Sequence, residues 1–294
     1  PMDKLGITIS QLSSKWDASG QVPQRAIDLG LISRFGAIDD TEGGNTSRTN
    51  VLINYEKFID EQSYIKSTVF YSHYDFELYS NFTFFLEDEA NGDQIKQKEN
   101  RDIYGLNSEY FRTFSINKVE TTVQAGLTLR NDQSNGNELS HTLNRRQTLS
   151  NIQLGDINET NFGTYLNTNF YYKKWTFNPS IRVDYFDFQY NDAMQVNYQT
   201  QASSKTIVSP KLNILYDYTQ NLQVYLKGGK GFHSNDTRVI LTQNGKETLP
   251  AAYGLDAGFV WKPVPKLLVN SAYWYLFLEQ EFVYVGDAGI VEPS

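Results

Sequence analysis

The sequence contains no cysteine and no long apolar run, and it has fewer basic than acidic residues. Without cysteine there is no disulfide framework and no thiolate metal site, but this absence does not indicate in which redox compartment the protein functions. The longest apolar run, Ala272 to Leu278, is far shorter than the roughly 18 residues of a membrane-spanning helix. The 26 basic and 34 acidic residues give a formal net charge of −8, which argues against nucleic acid as a partner.

A signal peptide is not visible either, and the chain opens at Pro1 without an initiator methionine, so we expect it to be part of something longer. Its 294 residues are enough for one large β domain or two ordinary domains. Aromatic residues are abundant, with 20 Tyr, 18 Phe and 4 Trp. If this protein lies in a membrane, it must cross it as strands.

Apolar and polar residues alternate over several long stretches, which is typical of strands with one apolar and one wet face. The clearest examples are Val208–Tyr218, Val119–Arg130, Phe177–Tyr185 and Gly254–Trp261. The two longest of these have 11 and 12 residues, whereas strands of soluble domains usually have about 5–6. Twelve residues extend about 40 Å and, tilted by about 45°, cross about 28 Å, close to the hydrocarbon thickness of a bilayer.

The chain divides into eleven strands whose connections alternate strictly in length. Since every second connection of an antiparallel meander falls at the same end, all long loops are expected on one side and all tight turns on the other, as in outer-membrane barrels. The expected strands are 5–13, 47–57, 63–85, 100–113, 118–130, 160–172, 175–190, 205–217, 222–232, 247–261 and 266–285. The expected long loops are 14–46, 86–99, 131–159, 191–204 and 233–246. The predicted fold class is therefore all-β, an antiparallel transmembrane β-barrel portion.

Aromatic residues mark the ends of apolar faces beside the short turns, at Trp175, Tyr216, Tyr218 and Trp261. This placement favours an interfacial girdle over aromatic residues that cap a soluble core. The apolar face of 208–218 is then expected to contact lipid. Its polar face, which includes Lys211, is expected to look into a wet or protein-filled lumen, as are two basic residues on other inward faces, Arg130 and Arg182.

The first long loop combines a helix start at Pro23 with apolar residues and two glycines, which predicts a short helix inside a structured loop. A loop of this length is functional or disordered, and its apolar content argues against disorder. Its candidate ligand-binding residues are Trp16, Arg25, Arg34, Asp39 and Asp40. The alternative is that these side chains only hold the loop's own fold.

The stretch "KGGKGFHSNDTR" lacks the Gly-Lys-Ser/Thr ending of a phosphate loop. Its glycines are instead expected to let something bulky, such as an internal plug, pass close by. Four residues in its C-terminal half are candidate ligand-binding residues at the long-loop rim; they are His233, Asn235, Asp236 and Arg238. The alternative is that they are polar groups that pack the loop.

Catalytic and metal-binding patterns are not evident. The histidines at 73, 141 and 233 lack metal-ligand spacing, and the acidic run 39–42 could bind calcium but is usually a solvated surface. An outer-membrane barrel hydrolase would need a Ser/His pair at one rim, for which His233 beside Ser234 is the local candidate. We therefore expect no enzyme activity, no metal and no cofactor.

Several stretches resemble the middle of the barrel in TonB-dependent outer-membrane receptors. They are "WDASGQVPQRAIDLGLISRFGAIDDTEGGNTSR", "GKGFHSNDTR", "YDFELYSNFTFFLED" and "SPKLNILYDYTQNLQVYLKGGKGF", and the resemblance covers about residues 5–294. It implies a 22-stranded barrel in the bacterial outer membrane, closed by an N-terminal plug whose TonB box engages an energy-coupling complex. Residues 1–294 would then be one partial barrel domain, without the plug and without the C-terminal strands.

The function that this resemblance implies is capture of a scarce nutrient, such as a ferric siderophore, by the outer loops, followed by TonB-coupled import. The partners would be outer-membrane lipid, the nutrient and the TonB complex. Two alternatives stay open: a passive porin-type channel, and a soluble β-rich protein that binds glycans through Tyr and Trp. A plug sequence upstream would separate the first alternative, and solubility without detergent the second.

Overall fold

A computed structural model describes residues 2–196, 200–235, 237–242, 248–280, 282–285 and 290–293. Within them the chain is almost entirely β-strand, with two short helices, α1 (Gln24–Asp28) and α2 (Thr237–Thr242). The strands are β1 (Lys4–Asp17), β2 (Gly43–Phe58), β3 (Ser63–Ser80), β4 (Ile95–Ile116), β5 (Val119–Leu143), β6 (Gln147–Tyr172), β7 (Trp175–Asp192), β8 (Thr200–Thr219), β9 (Leu222–Phe232), β10 (Ala251–Val264), β11 (Leu267–Leu278), β12 (Phe282–Val285) and β13 (Ile290–Pro293).

Strands β1 to β11 form one sheet in sequence order, and every neighbouring pair is antiparallel. This confirms the predicted meander of eleven strands. The sheet is open in this chain, with β1 and β11 at its edges, while β12 pairs with β13 in a separate two-stranded sheet. Neither helix in the described part of the chain has the length and apolarity to cross a membrane.

The connection between β5 and β6 corrects the prediction of a long loop over 131–159. Both strands continue far beyond their apolar parts, to Leu143 and from Gln147, so only a three-residue turn joins them. Asn144 and Arg145 have positive φ values of 52° and 58° in this turn. The prediction was wrong because both faces of these extensions are largely polar, so hydrophobic alternation disappears although the backbone pairing continues.

Other boundaries also differ from the sequence prediction. The strand expected to reach residue 85 ends at Ser80, and the strand expected to begin at 247 begins at Ala251. The last predicted strand, 266–285, is divided between β11 and β12. The short helix predicted in the first loop is confirmed as α1, with Pro23 at its N-cap. The β1–β2, β3–β4, β7–β8 and β9–β10 connections do lie at the same end of the sheet as the β5–β6 turn.

One face of the sheet carries a continuous apolar row across seven strands. Leu129 pairs with Phe162, and these two residues are 42% and 46% exposed. An exposed apolar surface that continues from one strand to the next is typical of a face that contacts lipid. The row is Ile7, Ile53, Val69, Leu106, Leu129, Phe162 and Tyr185.

The opposite, inner face is polar and more closely packed. Arg182 makes two hydrogen bonds of 2.7 Å to Asp184, which is 1% exposed, and a third of 3.0 Å to Thr128 Oγ1. Lys211 lies on this face against Gly229. The inward positions predicted for these basic residues are therefore confirmed.

The aromatic residues near the short turns lie on the outer face, as predicted. Trp175 contacts Tyr216, with ring centroids 4.5 Å apart, and Tyr216 is followed by Tyr218 at 6.5 Å. Trp261 is 44% exposed at the end of β10. Rings at this position combine an apolar body with a polar edge, which suits the boundary between lipid and water.

Candidate functional site

A cavity of 630 Å³ lies on the inner face, on the long-loop side of the apolar row. Its floor comes from β4, β5 and β6, and residues that follow β9 close one side. The cavity has four basic and four acidic residues in its lining, so its formal charge is balanced. The charged residues are Lys98, Arg101, Arg130, Arg238, Glu99, Asp132, Glu138 and Glu159.

Ion pairs organise the charged floor of this cavity. Arg130 binds Asp132 through two nitrogens, at 2.6 and 2.8 Å. Arg101 contacts Glu99 and lies 3.7 Å from Asp132, so both arginines share one carboxylate. The residues alternate along their strands, which places them on the same face. Paired charges of this kind present fixed N–H donors and oxygen acceptors without a large net potential.

The segment after β9 folds back against the inner face beside the cavity. Leu249, which is 1% exposed, packs with Phe186, Phe188 and Ile207, and Leu241 of α2 contacts the same cluster. Thr237 Oγ1 donates a hydrogen bond of 3.1 Å to Glu159 on β6. Apolar burial therefore fixes this loop on the wall, where it forms one side of the cavity.

The first loop is held by an amide and carboxylate network. Asp39 accepts hydrogen bonds from Asn81 Nδ2 at 3.0 Å, Gln94 Nε2 at 3.1 Å and the Thr41 main-chain nitrogen at 2.9 Å. Burial raises the pKa of Asp39, but the hydrogen bond from the Thr41 hydroxyl and these three outweigh it, so the pKa is lowered. Burial raises the pKa of Glu42, which is 4% exposed, and the nearby charge of Asp39 adds to this increase.

Arg145, in the turn between β5 and β6, ties that turn to the first loop. Its guanidinium donates to the main-chain oxygens of Thr41 and Glu42 and to Asp17 Oδ1 at 3.1 Å. It also lies over the ring of Tyr79, 5.8 Å from the centroid. The long β5–β6 hairpin therefore acts as a support for the loop that joins β1 and β2.

The structure places the candidate residues of the first loop in different surroundings. The ring of Trp16 lies 6.5 Å from that of Phe76 on the inner face. Arg25, Arg34 and Asp40 are exposed. Asp39 is engaged in the loop's own network, as described above. Whether any of these residues binds a ligand stays a prediction.

The candidates after β9 lie closer to the cavity. Asn235, 3% exposed, and Arg238 line the cavity together with Ser234. His233 is exposed, and its main-chain nitrogen donates to Pro250 O at 3.1 Å. Asp236 lies outside the described residues. Their role in ligand binding stays a prediction.

Sequence reasoning missed most of the cavity floor, because 131–159 was assigned to a loop. The available signal was a continuation of the inward alternation of β5, in which Asp132, Ser134 and then Glu138 follow Arg130. It also missed that His73, on the outer face, lies between two carboxylates, 2.8 Å from Asp102 and 3.0 Å from Asp75. Among the described residues, no three or more His or acidic side chains are arranged to hold a metal ion.

Solved structures with the same fold include a ferric citrate transporter, a ferric-catecholate import receptor and a siderophore receptor. The chain superposes on the unliganded ferric citrate transporter FecA with a TM-score of 0.76 and 17% identity, covering 92% of this chain and 40% of that one. It superposes on the ferric-catecholate import receptor Fiu from E. coli K12, in its closed form, with a TM-score of 0.73 and 15% identity, covering 98% of this chain and 50% of that one. With the siderophore receptor PiuA from Acinetobacter baumannii the TM-score is 0.71 and the identity 12%, and the match covers 92% of this chain and 47% of that one.

This chain therefore spans half or less of each of these structures. No curated protein matches it. A family model described as "TonB dependent receptor-like, beta-barrel" matches residues 7–292, nearly the whole chain. The open meander, the lipid-type outer face and the polar inner face are what such a barrel wall requires. The chain belongs to the TonB-dependent receptor-like β-barrel family.

Proposed function

We propose that this chain forms the ligand-capturing wall of an outer-membrane receptor that imports a scarce nutrient, such as a ferric siderophore, by TonB-coupled transport. The observation that carries the proposal is the cavity of 630 Å³ on the inner face at the long-loop end. A ligand that enters from the long-loop side reaches this cavity before it reaches the membrane-spanning part of the wall. A ferric citrate transporter and a ferric-catecholate import receptor share the fold.

The balanced charge of the cavity favours a particular kind of ligand. Because Glu99 and Asp132 together pair with Arg101 and Arg130, these two arginines present no block of unpaired positive charge. A bound chelate should therefore carry little net charge and many hydrogen-bonding groups, with its apolar parts against Phe76 and Phe186. A highly charged anion would have to compete with the carboxylates for the same arginines.

The proposed domain organisation is that these eleven strands are one part of a 22-stranded barrel that surrounds an internal plug. The edges of the sheet at β1 and β11 support further strands, because an unpaired edge is not viable in lipid. A bare strip on the inner face supports a plug: at Gly231 and Gly254 an added Cβ would meet nothing within 4 Å. A close-fitting internal domain could lie against such a strip.

Ligand binding can be measured with the complete native protein in detergent, by the change in tryptophan fluorescence on adding ferric citrate, a ferric catecholate or a ferric hydroxamate. Arg101→Gln removes a charged guanidinium donor from the cavity and should weaken binding of the preferred chelate by about tenfold. Arg48→Gln is the matched control, since Arg48 contacts Asn50 and Ser72 and does not line the cavity. Equal loss in both variants would contradict a site in this cavity.

Uptake of the same chelate, labelled with radioactive iron, separates the proposal from a passive pore. Active import should stop when an uncoupler removes the proton-motive force, and it should saturate at low chelate concentration. Uptake that continues without this force would establish a porin-type channel. A protein that stays soluble without detergent would instead support the glycan-binding alternative.

A further inference from the structure

The outer face of β5 to β8 changes character just beyond the apolar row. The next three rows toward the long-loop end are rich in Asn and Gln, and none of their residues is Lys or Arg. By pairing, the rows are Asn131–Thr160–Asp187–Ser204, Gln133–Asn158–Gln189–Ala202, and then Asn135 near Asp156–Asn191–Thr200. We call these three rows the amide patch.

The amide patch contains a depression of 260 Å³. A β-bulge between Ser134 and Asn137 shapes its upper end, where Gly136 has a φ of +59° and its main-chain nitrogen donates to Asp156 Oδ1 at 2.7 Å. Pockets for drug-sized ligands usually have volumes of about 300–1,000 Å³, so this depression suits one small polar unit. It lies on the outer face, separate from the inner cavity described above, although the chain at 157 lines both.

The bonding within the amide patch leaves a defined set of groups for a ligand. Asn158 accepts from Asn131 Nδ2 at 2.7 Å, and Gln189 donates to Asp187 at 2.8 Å. The side chains of Gln133 and Asn135 are exposed and make no hydrogen bond within the described part of the chain. Side-chain amides offer donors and acceptors side by side, which match the hydroxyl groups of a sugar.

The position of the patch identifies where that sugar comes from. Two residues along a strand tilted by about 45° rise about 5 Å, so the three rows lie about 5–14 Å beyond the last apolar row. That is the headgroup level of the membrane leaflet on the long-loop side. Without Lys or Arg, the patch is not suited to headgroup phosphates, which require charge-assisted donors.

We propose that the amide patch binds the core saccharide of a glycolipid, lipopolysaccharide, in the outer leaflet. The proposal rests on the outer-membrane location proposed above, but it does not depend on which nutrient is imported. The patch continues directly from the lipid-facing row, so its ligand is held beside it by the same membrane. A glycolipid bound there would hold the β5–β6 hairpin against the membrane surface. The far end of this hairpin supports the first loop through Arg145.

The test uses the complete native protein in nanodiscs that contain lipopolysaccharide with intact core sugars or lipid A alone, and counts retained glycolipid by native mass spectrometry. Wild-type protein should retain the intact form at least about tenfold better than lipid A, and Gln133→Ala with Asn135→Ala should lose this preference. Gln133→Glu with Asn135→Asp keeps the shape but removes the donors, and should lose it as well. Gln11→Ala, an exposed glutamine on β1, is the control and should behave as wild type.

Equal retention of both glycolipids by the wild type, or unchanged retention in the double variants, would overturn the proposal. Free core oligosaccharide that binds as tightly as the glycolipid would also overturn it, because the ligand would then be a soluble glycan. Resistance of the folded variants to heat in SDS, compared with wild type, shows whether they fold. Chelate binding should be unchanged in the double variants, so failure here is distinct from failure of the proposed import.

Discussion

Replacing Arg145 by alanine is expected to release the first loop from the β5–β6 turn while the membrane-spanning sheet stays intact. The guanidinium donates to two main-chain oxygens of the loop, at Thr41 and Glu42, and is itself largely buried. Its contact with Asp17 adds little, because that carboxylate is 80% exposed and solvent screens the pair. The sheet is held by its own pairing, so the effect is local.

Its magnitude follows from the two bonds to the loop. Charge-assisted hydrogen bonds contribute about 1.5 kcal/mol each at the lower end of their range, so their loss should cost about 3 kcal/mol of local stability. Since 1.4 kcal/mol corresponds to a factor of ten, the population of the opened loop should rise by about 100-fold. Arg145→Lys should lie between alanine and wild type, because lysine keeps the charge but not the planar fork.

Hydrogen exchange with mass spectrometry measures this opening directly. The informative amides are those closed by the network, such as Ala18, whose nitrogen donates to Glu42 O at 3.0 Å. Arg146→Ala is the matched control, since Arg146 is the exposed neighbour in the same turn. Exchange of 18–42 that is equally slow in wild type and Arg145→Ala would refute the reasoning.

Three further predictions concern the loop network, the sheet and its two faces. Burial raises the pKa of Asp39, but the hydrogen bonds that Asp39 accepts lower it further than burial raises it. The charged form therefore stabilises the loop fully above the unfolded carboxyl pKa, and this stabilisation is lost as pH falls through the lower folded-state pKa. Exchange of 18–42, corrected for the intrinsic rate, should accelerate below about pH 4, and Asp39→Asn should flatten this response. At Gly44 an added Cβ would come 2.2 Å from a main-chain oxygen of β3, so Gly44→Ala should lower the free energy of unfolding in urea by about 1–3 kcal/mol. Gly6→Ala is the control: an added Cβ there would meet nothing within 4 Å, so this variant should be neutral or slightly stabilising. Equal losses of stability in the two variants would contradict this packing. Spin labels at Leu212 and Asn213 in bilayers should report lipid-soluble oxygen at the first and water at the second, and equal accessibility would contradict the assignment of the faces.

The membrane-spanning part of the fold could be predicted from sequence because apolar and polar residues alternate along each of its strands. Between Val208 and Tyr218 every second residue is apolar or aromatic, and the structure places Val208 and Leu212 on the exposed outer face. Lipid contacts only one side of such a strand, so the environment imposes the pattern residue by residue. The tight turns at the other end were equally readable, as at 173–174, where β6 ends at Tyr172 and β7 begins at Trp175.

Beyond the membrane that signal disappears. From Asn131 to Leu143 both faces meet polar surroundings, so the pattern of a strand and that of a polar loop look alike. The pairing that continues there is made by main-chain groups, which sequence composition does not report. The cavity floor at Asp132 and Glu159 was missed for the same reason.

The sequence by itself therefore determined which strands cross the membrane, which face of each meets lipid and at which end the long connections lie. Only the tertiary structure decided what those connections and strand extensions build. The pairing of Arg101, Arg130 and Asp132, the support of the first loop by Arg145 and the amide patch all join residues from different strands. The physical reason is that a lipid-facing pattern is a local response to solvent, whereas a polar site depends on long-range hydrogen bonds between side chains whose separation in sequence carries no period.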